Sequence, residues 1–270
     1  MMVYVLNIHF LDDQRAFEYY RKRIPSSRRE KLDRIIPTNE KKRSLAAGLL
    51  LVHGLREWGV LGESDTEISF LKGDNGKPYL NPDNIAYTGE KELCSDSALN
   101  SAEMSVPYFS LSHSGDYAVC AIGDSEIGID IERMEQWNKA ERAYERVLTA
   151  NEKERLNLLS EAERAGRFYQ YWSMKESYVK SLGTGLGTDF REIDLYESGP
   201  QIRKLVIREL QIDSPMDRLI EKSESIDYDS SVYVVRGVEG YELLSVDYRP
   251  EYAFGLCIPR EPVSKEQEGK

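Results

Sequence analysis

The chain has 270 residues, of which 40% are hydrophobic and 31% charged, a profile for one large soluble domain or two smaller ones. No apolar run approaches the ~18–20 residues that span a bilayer, so no membrane segment is expected. The formal net charge of -11 counts against nucleic acid as a partner, because phosphate backbones are held mainly by clustered cations.

Met1 to Phe10 lacks a basic start and a small-residue cleavage site, and Val3 to Phe10 reads as a first strand, not a signal peptide. Gln14 to Arg23 and Ser27 to Ile35 read as short helices. Thr38 is the expected N-cap of a longer helix whose apolar positions Leu45, Leu49, Val52, Leu55 and Trp58 follow helical spacing, with Gly59 ending it. Ile68 to Leu71 reads as a short strand, Gly73 to Pro78 as a turn-rich loop, and Asn84 to Met104 as an exposed polar excursion. Tyr108 to Leu111 is an expected strand leading into a Ser112-His113-Ser114-Gly115 loop. Tyr117 to Ile122 and Ile127 to Ile131 follow as strands. Asn138 to Leu182 is expected to be helical, broken near Leu148 to Asn151 and at Gly166. Thr149 and Glu152 have capping-box spacing for a helix start. Phe190 to Ile258 alternates like strands, with a hairpin turn at Gly237 to Gly240, and the charged 259–270 tail is expected to be disordered. A helix followed by strands recurs in each half, the pattern of an internal duplication.

Cys94, Cys120 and Cys257 are odd in number and match no metal spacing. They read as free thiols of a cytoplasmic protein. His9, His53 and His113 are too scattered to suggest zinc. Arg21, Lys22, Arg23, Arg28, Arg29, Lys31, Arg34, Lys41, Lys42 and Arg43 crowd one early stretch. They are either solvated helix faces or, for a few of them, a basic pocket for a polyphosphate.

Four residues carry the chemistry. Strand alternation puts Ile129 and Ile131 on one face, and Asp130 and Glu132 on the other. Two adjacent carboxylates suit magnesium, which binds hard oxygens and takes one or two carboxylates with phosphates and water. Such a pair is also common on an exposed strand near a turn. Glu176 and Lys180 are one helical turn apart and are either an ion pair on a solvated face or part of a site. Trp172 lies on the same edge, which places the charges beside a large aromatic group. The serines, imidazole and backbone N–H groups around His113 offer a phosphate seat, or else a stabilised turn.

In order and spacing, Gly76-Lys77-Pro78, Leu111-Ser112-His113-Ser114-Gly115, Gly128-Ile129-Asp130-Ile131-Glu132 and Trp172-Ser173-Met174-Lys175-Glu176-Ser177-Tyr178-Val179-Lys180 closely resemble the 4'-phosphopantetheinyl transferases of the surfactin type. The likeness runs from about Ser27 to Ile258. It implies an α+β fold of two similar lobes related by a pseudo-two-fold axis: residues 1–126 contacting coenzyme A, and residues 127–258 carrying metal and catalytic residues. It implies a monomeric enzyme that moves the phosphopantetheine arm of coenzyme A to a serine of an apo acyl, peptidyl or polyketide carrier protein, releasing adenosine 3',5'-bisphosphate. Asp130, Glu132 and Glu176 match magnesium ligands. Glu176 also matches the candidate general base, and Lys180 the group beside the departing phosphate. Ser112 and His113 match contacts to the 3'-phosphate. Arg28, Lys31 and Arg43 match grips on coenzyme A phosphates, and Lys77 matches a contact near the adenine. Glu152 aligns with a carboxylate at the lobe junction. The 84–104 segment is longer than in the type enzyme and the tail has no counterpart, so the choice of carrier stays open.

Overall fold

In the computed structural model, which describes residues 1–85, 106–212, 219–221 and 226–260, β1 spans Met2–Asn7. Val3, Tyr4, Val5 and Leu6 are all buried, as in a strand covered on both faces. The expected continuation to Phe10 fails. The His9 N–H donates to the Asn7 side chain at 2.9 Å, and His9–Asp12 forms a 3-10 turn.

Helices α1 (Gln14–Arg21), α2 (Ser26–Asp33) and α3 (Thr38–Glu57) follow. The N-cap of α3 is Pro37, not Thr38: the Lys41 N–H already reaches the Pro37 carbonyl at 3.0 Å, which makes Thr38 the first helical residue. Strands β2 (Phe70–Lys72) and β3 (Pro78–Leu80) form a separate hairpin. Strand β4 (Tyr108–Ser114) pairs antiparallel with β5 (Tyr117–Gly123). Ser112, His113 and Ser114 are therefore strand residues, not a loop, because the ladder continues to Ser114–Tyr117. The reversal is left to Gly115, at φ +54°, and Asp116.

Strand β6 (Gly128–Arg133) leads to α4 (Trp137–Val147), α5 (Ala150–Asn157) and α6 (Glu161–Leu182). The Thr149–Glu152 capping box opens α5 as its spacing predicts, and a second box, Ser160–Glu163, opens α6. Gly166 does not break α6. An interior glycine costs about 1 kcal/mol, and burial of Phe168, Tyr171 and Met174 on the next turns offsets that. Phe190–Glu192 is a 3-10 turn rather than a strand start. Strands β7 (Leu195–Gln211), β8 (Ile220–Glu221), β9 (Ile226–Val235), β10 (Tyr241–Arg249) and β11 (Tyr252–Pro259) complete the fold. Most of the expected excursion and tail lies outside the described residues.

One sheet runs through both halves in the order β4-β5-β1-β7-β9-β10-β11-β6, with β8 beside β7. Its centre is the parallel pairing of β1 with β7, Tyr4 to Arg208 through Leu6 to Leu210. Tyr4, Leu6, Cys120 and Ile122 face the helices of the first half. Leu195, Leu243 and Cys257 face α4 and α6 in the second. The opposite sheet face is a shared apolar core drawn from both halves, including Val3, Val119, Ile129, Ile131, Leu244 and Phe254. The α+β class is thus as the sequence implies. Cys120 and Cys257 are buried and form no disulfide. Among the described residues no helix is long and apolar enough to cross a membrane.

Candidate active site

Two glycines decide where α6 lies. A Cβ on Gly128 would stand 1.7 Å from the Ser177 carbonyl oxygen, and one on Gly255 would stand 2.4 Å from that of Ser173. Backbone-to-backbone contact is possible only because β6 and β11 present no side chain there. Ser173, Ser177 and Ser181 are fully buried along the same stripe. This contact sets Glu176 and Lys180 over β6.

Ile129 and Ile131 enter the shared core. Asp130, on the other face, is only 2% exposed. The Lys180 ammonium donates to Asp130 Oδ1 at 2.5 Å, to Ser112 Oγ at 3.0 Å and to the Ile129 carbonyl at 3.2 Å. The Ser112 hydroxyl also donates to Asp130 Oδ1, at 2.7 Å. Glu132 Oε2 accepts from the Ser114 hydroxyl at 2.9 Å. Burial, then the neighbouring charge of Asp130, pushes the Glu132 carboxyl up to about 7. The same two causes raise Glu176, with Lys180 opposing them. The three carboxylates are thus close enough to repel one another, and one cation does not relieve them all.

These carboxylates are hard oxygen donors of the kind a divalent ion takes. Asp130 Oδ2 is buried and has no hydrogen-bond partner, a costly state for a carboxylate oxygen. Among the described residues no group of three or more His, Cys, Asp or Glu side chains is placed to hold a metal ion by itself. Magnesium needs none, since it is commonly bound through one or two carboxylates with substrate phosphates and retained water.

Beside these residues opens a cleft of about 680 Å³, with walls from both halves of the chain. Glu176, Lys180 and Trp172 line it from α6, and Arg28, Lys31, Lys77 and His113 line it from the first half. The crowded basic stretch divides here. Arg21, Arg29 and Lys42 pair with Asp33, Glu67 and Asp12, as solvated charges do. Arg28 instead is half-buried, with its Nε buried and unpartnered, and desolvation lowers its affinity for a proton. Burial, then repulsion from Arg28, does the same to Lys31. Two close cations, one half-buried and one exposed at the cleft wall, are suited to an anion.

Arg43 does not line the cleft. Its guanidinium donates twice to Glu40 Oε2, at 3.2 and 2.9 Å, and to the Gly115 carbonyl at 3.2 Å. The other oxygen of Glu40 lies 3.5 Å from His113 Nε2. Burial lowers the His113 pKa, and Glu40 partly opposes the shift. Lys77 lines the cleft with its stem, while its ammonium pairs with Glu126 and caps the Ser181 carbonyl at 2.7 Å, near the end of α6. Ser112 is brought to Asp130 and Lys180, not to the cleft wall.

Glu152 lies within the second half rather than between the halves. It is fully buried, closes the α5 capping box, accepts from the Leu195 N–H at 2.9 Å and pairs with Lys175 at 2.6 Å. Lys175 also donates to the Val147 and Phe190 carbonyls at 2.7 and 2.9 Å, so the pair ties α4, α5, α6 and the entry to β7 together. Sequence reasoning missed Arg146, Phe109 and Phe190 on the cleft wall, and Glu40 behind it. Arg146 lies in the last turn of α4 among ordinary polar residues, and Glu40 with Arg43 reads as a surface i,i+3 pair. Neither carries a signal in the sequence.

Residues 126–225 match the model of the 4'-phosphopantetheinyl transferase superfamily. The chain is 26% identical over 174 residues to 4'-phosphopantetheinyl transferase gsp of Aneurinibacillus migulanus, covering 64% of this chain and 62% of that one. It is 29% identical to psf-1 of Bacillus pumilus (69% and 70% covered) and 28% identical to Sfp of Bacillus subtilis (65% and 68% covered), both 4'-phosphopantetheinyl transferases. The match thus spans roughly two thirds of these relatives.

Proposed function

We propose that this chain is a member of the 4'-phosphopantetheinyl transferase superfamily, to which it is similar, and that its cleft binds coenzyme A and transfers the 4'-phosphopantetheine arm to a serine of an apo carrier protein. The observation that carries this reading is the convergence of Asp130 with Glu176 and Lys180 at the edge of a two-walled basic cleft. The serine Oγ forms a bond to the phosphorus bearing the pantetheine. The P–O bond to the bridging oxygen breaks, and adenosine 3',5'-bisphosphate leaves with the electron pair. The serine proton passes to Glu176, directly or through water.

The residues divide the work. Arg28 and Lys31 hold donor phosphate charge, while Arg43 acts from behind the wall through Glu40, which lies beside His113. His113 and Ser112 serve the 3'-phosphate, and Lys77 borders the adenine. The raised proton affinity of Glu176 makes it a stronger base than an ordinary carboxylate. Lys180, held beside Asp130, is within the same wall as Glu176 and steadies the departing phosphate. Magnesium held by Asp130, Glu132 and Glu176 would neutralise the diphosphate and align it for attack.

The two-lobed reading has topological support. The first half packs α3 on β1, β5 and β4, and the second packs α6 on β6, β11 and β10. We divide the chain into lobes 1–126 and 127–258, each supplying one wall, so that a monomer suffices. Cys120 and Cys257 occupy corresponding strands of the two, and as unpaired thiols suit the cytoplasm.

The test is to incubate the protein with coenzyme A, magnesium and a panel of apo carriers from fatty acid, polyketide and peptide synthesis, then weigh the carriers. One added phosphopantetheine on a serine is the expected result. No gain on any carrier overturns the reading, and coenzyme A loss with carriers unchanged makes the enzyme a hydrolase.

A further inference from the structure

Strands β4 and β6 are the two ends of the sheet, yet they lie side by side. No ladder joins them among the described strands. Alternate serines of β4, which share one face, take its place. Ser110 Oγ accepts from the Ile129 N–H at 3.1 Å, and Ser114 Oγ accepts from the Arg133 N–H at 3.0 Å. Between them, Ser112 donates to Asp130.

Ser114 combines the two roles, accepting from a β6 backbone N–H and donating to a β6 carboxylate. A hydroxyl has one proton and two lone pairs. Because the Arg133 N–H occupies an acceptor position, the proton is free to serve Glu132 Oε2, at 2.9 Å. Glu132 is repelled by Asp130 two residues away on the same strand face, and among the described residues no cation is recorded paired with it. Repulsion alone would favour a rotamer turned away from Asp130. The backbone-anchored hydroxyl of Ser114 is the group that opposes this.

We propose that Ser114 is the positioning residue for Glu132, holding that carboxylate beside Asp130 so that the two together receive a divalent cation. The inference rests on the assignment of Glu132 to the cation in the proposed function. It adds a residue of β4, from the first half of the chain, to a cation site whose carboxylates all come from the second. Outer partners that orient ligating carboxylates are typically worth about 10–100-fold in metal affinity.

The test titrates the full-length protein with Mn²⁺ and reads the free ion by electron paramagnetic resonance, without coenzyme A or carrier. Wild type is expected to bind, Asp130→Ala to lose binding, Ser114→Ala to bind about 10–100-fold more weakly, and Ser114→Thr, which keeps the hydroxyl, to bind like wild type. Coenzyme A affinity measured by calorimetry in a chelator should not differ between Ser114→Ala and wild type. Should Ser114→Ala not fold, Ser114→Cys, a weak donor of similar size, takes its place with the same expected loss. Wild-type-like Mn²⁺ affinity in the hydroxyl-less variant, with binding still dependent on Asp130, overturns the role of Ser114 and leaves the cation assignment standing. Absence of Mn²⁺ binding by wild type, or binding indifferent to Asp130→Ala, overturns the cation assignment itself.

Discussion

Asp130 and Glu176 meet the same low-dielectric surroundings by different means. Asp130 shares one oxygen between Lys180 and Ser112, whereas burial and the nearby charge of Asp130 raise the Glu176 carboxyl. The proposed mechanism uses this difference, with Asp130 as the anchor and Glu176 as the base. Glu176→Gln keeps the shape and removes the base, so kcat on an apo carrier should fall by about 10²–10⁴ with an unchanged circular dichroism spectrum. A loss smaller than tenfold would remove Glu176 from the proton transfer. The i,i+4 spacing of Glu176 and Lys180 beside Trp172 was visible in the sequence, as was the alternation that turns Asp130 away from Ile129 and Ile131. What could not be read was which cations stay free of surface partners. Arg28 and Arg29 are neighbours of the same type, and only the approach of Glu67, 38 residues from Arg29, separates their fates.

Helix α6 owes its position to what β6 and β11 lack. Gly128→Ala would drive a methyl into the Ser177 carbonyl, and since the obstacle is backbone on both sides, the helix itself must shift. Overpacking of this kind costs typically about 1–3 kcal/mol, occasionally more. Denaturant melts should show at least that loss, and transfer activity should fall further than stability explains, because the shift carries Glu176 and Lys180 away from Asp130. A variant as stable and active as wild type would show that α6 does not depend on this contact. Most helices and strands were legible from periodicity and capping signals, including the Thr149–Glu152 box. Two of the misreadings have their origin in tertiary packing. Ser112 to Ser114 looked like a polar loop because their side chains are small and polar, and the β6 carboxylates those serines serve lie 18 residues along the chain and leave no local trace. Gly166 looked like a break because its burial partners outweigh a propensity term of about 1 kcal/mol.

Across the whole molecule the two halves share a sheet and a core. The parallel pairing of β1 with β7, the apolar face common to both halves and the serine contacts between β4 and β6 all cross the division at residue 126. Calorimetry should therefore give one transition, with calorimetric and van't Hoff enthalpies equal; two resolved transitions would mean that the halves are energetically separate. The helix-then-strands recurrence was legible because each half carries its own pattern. The β1–β7 register was not, because residues 4–6 and 208–210 are joined by tertiary choice alone. That pairing also sets an order of events during synthesis. When β1, β4 and β5 have left the ribosome, the outer edge of β1 still shows its unpaired N–H and C=O groups, and it keeps showing them until β7 emerges some 200 residues after β1. An apolar, uncovered strand edge is a template for pairing with other chains, and closing so long a loop is slow. The nascent protein thus passes through an interval in which its own first strand is its chief hazard, one that ends when β7 docks.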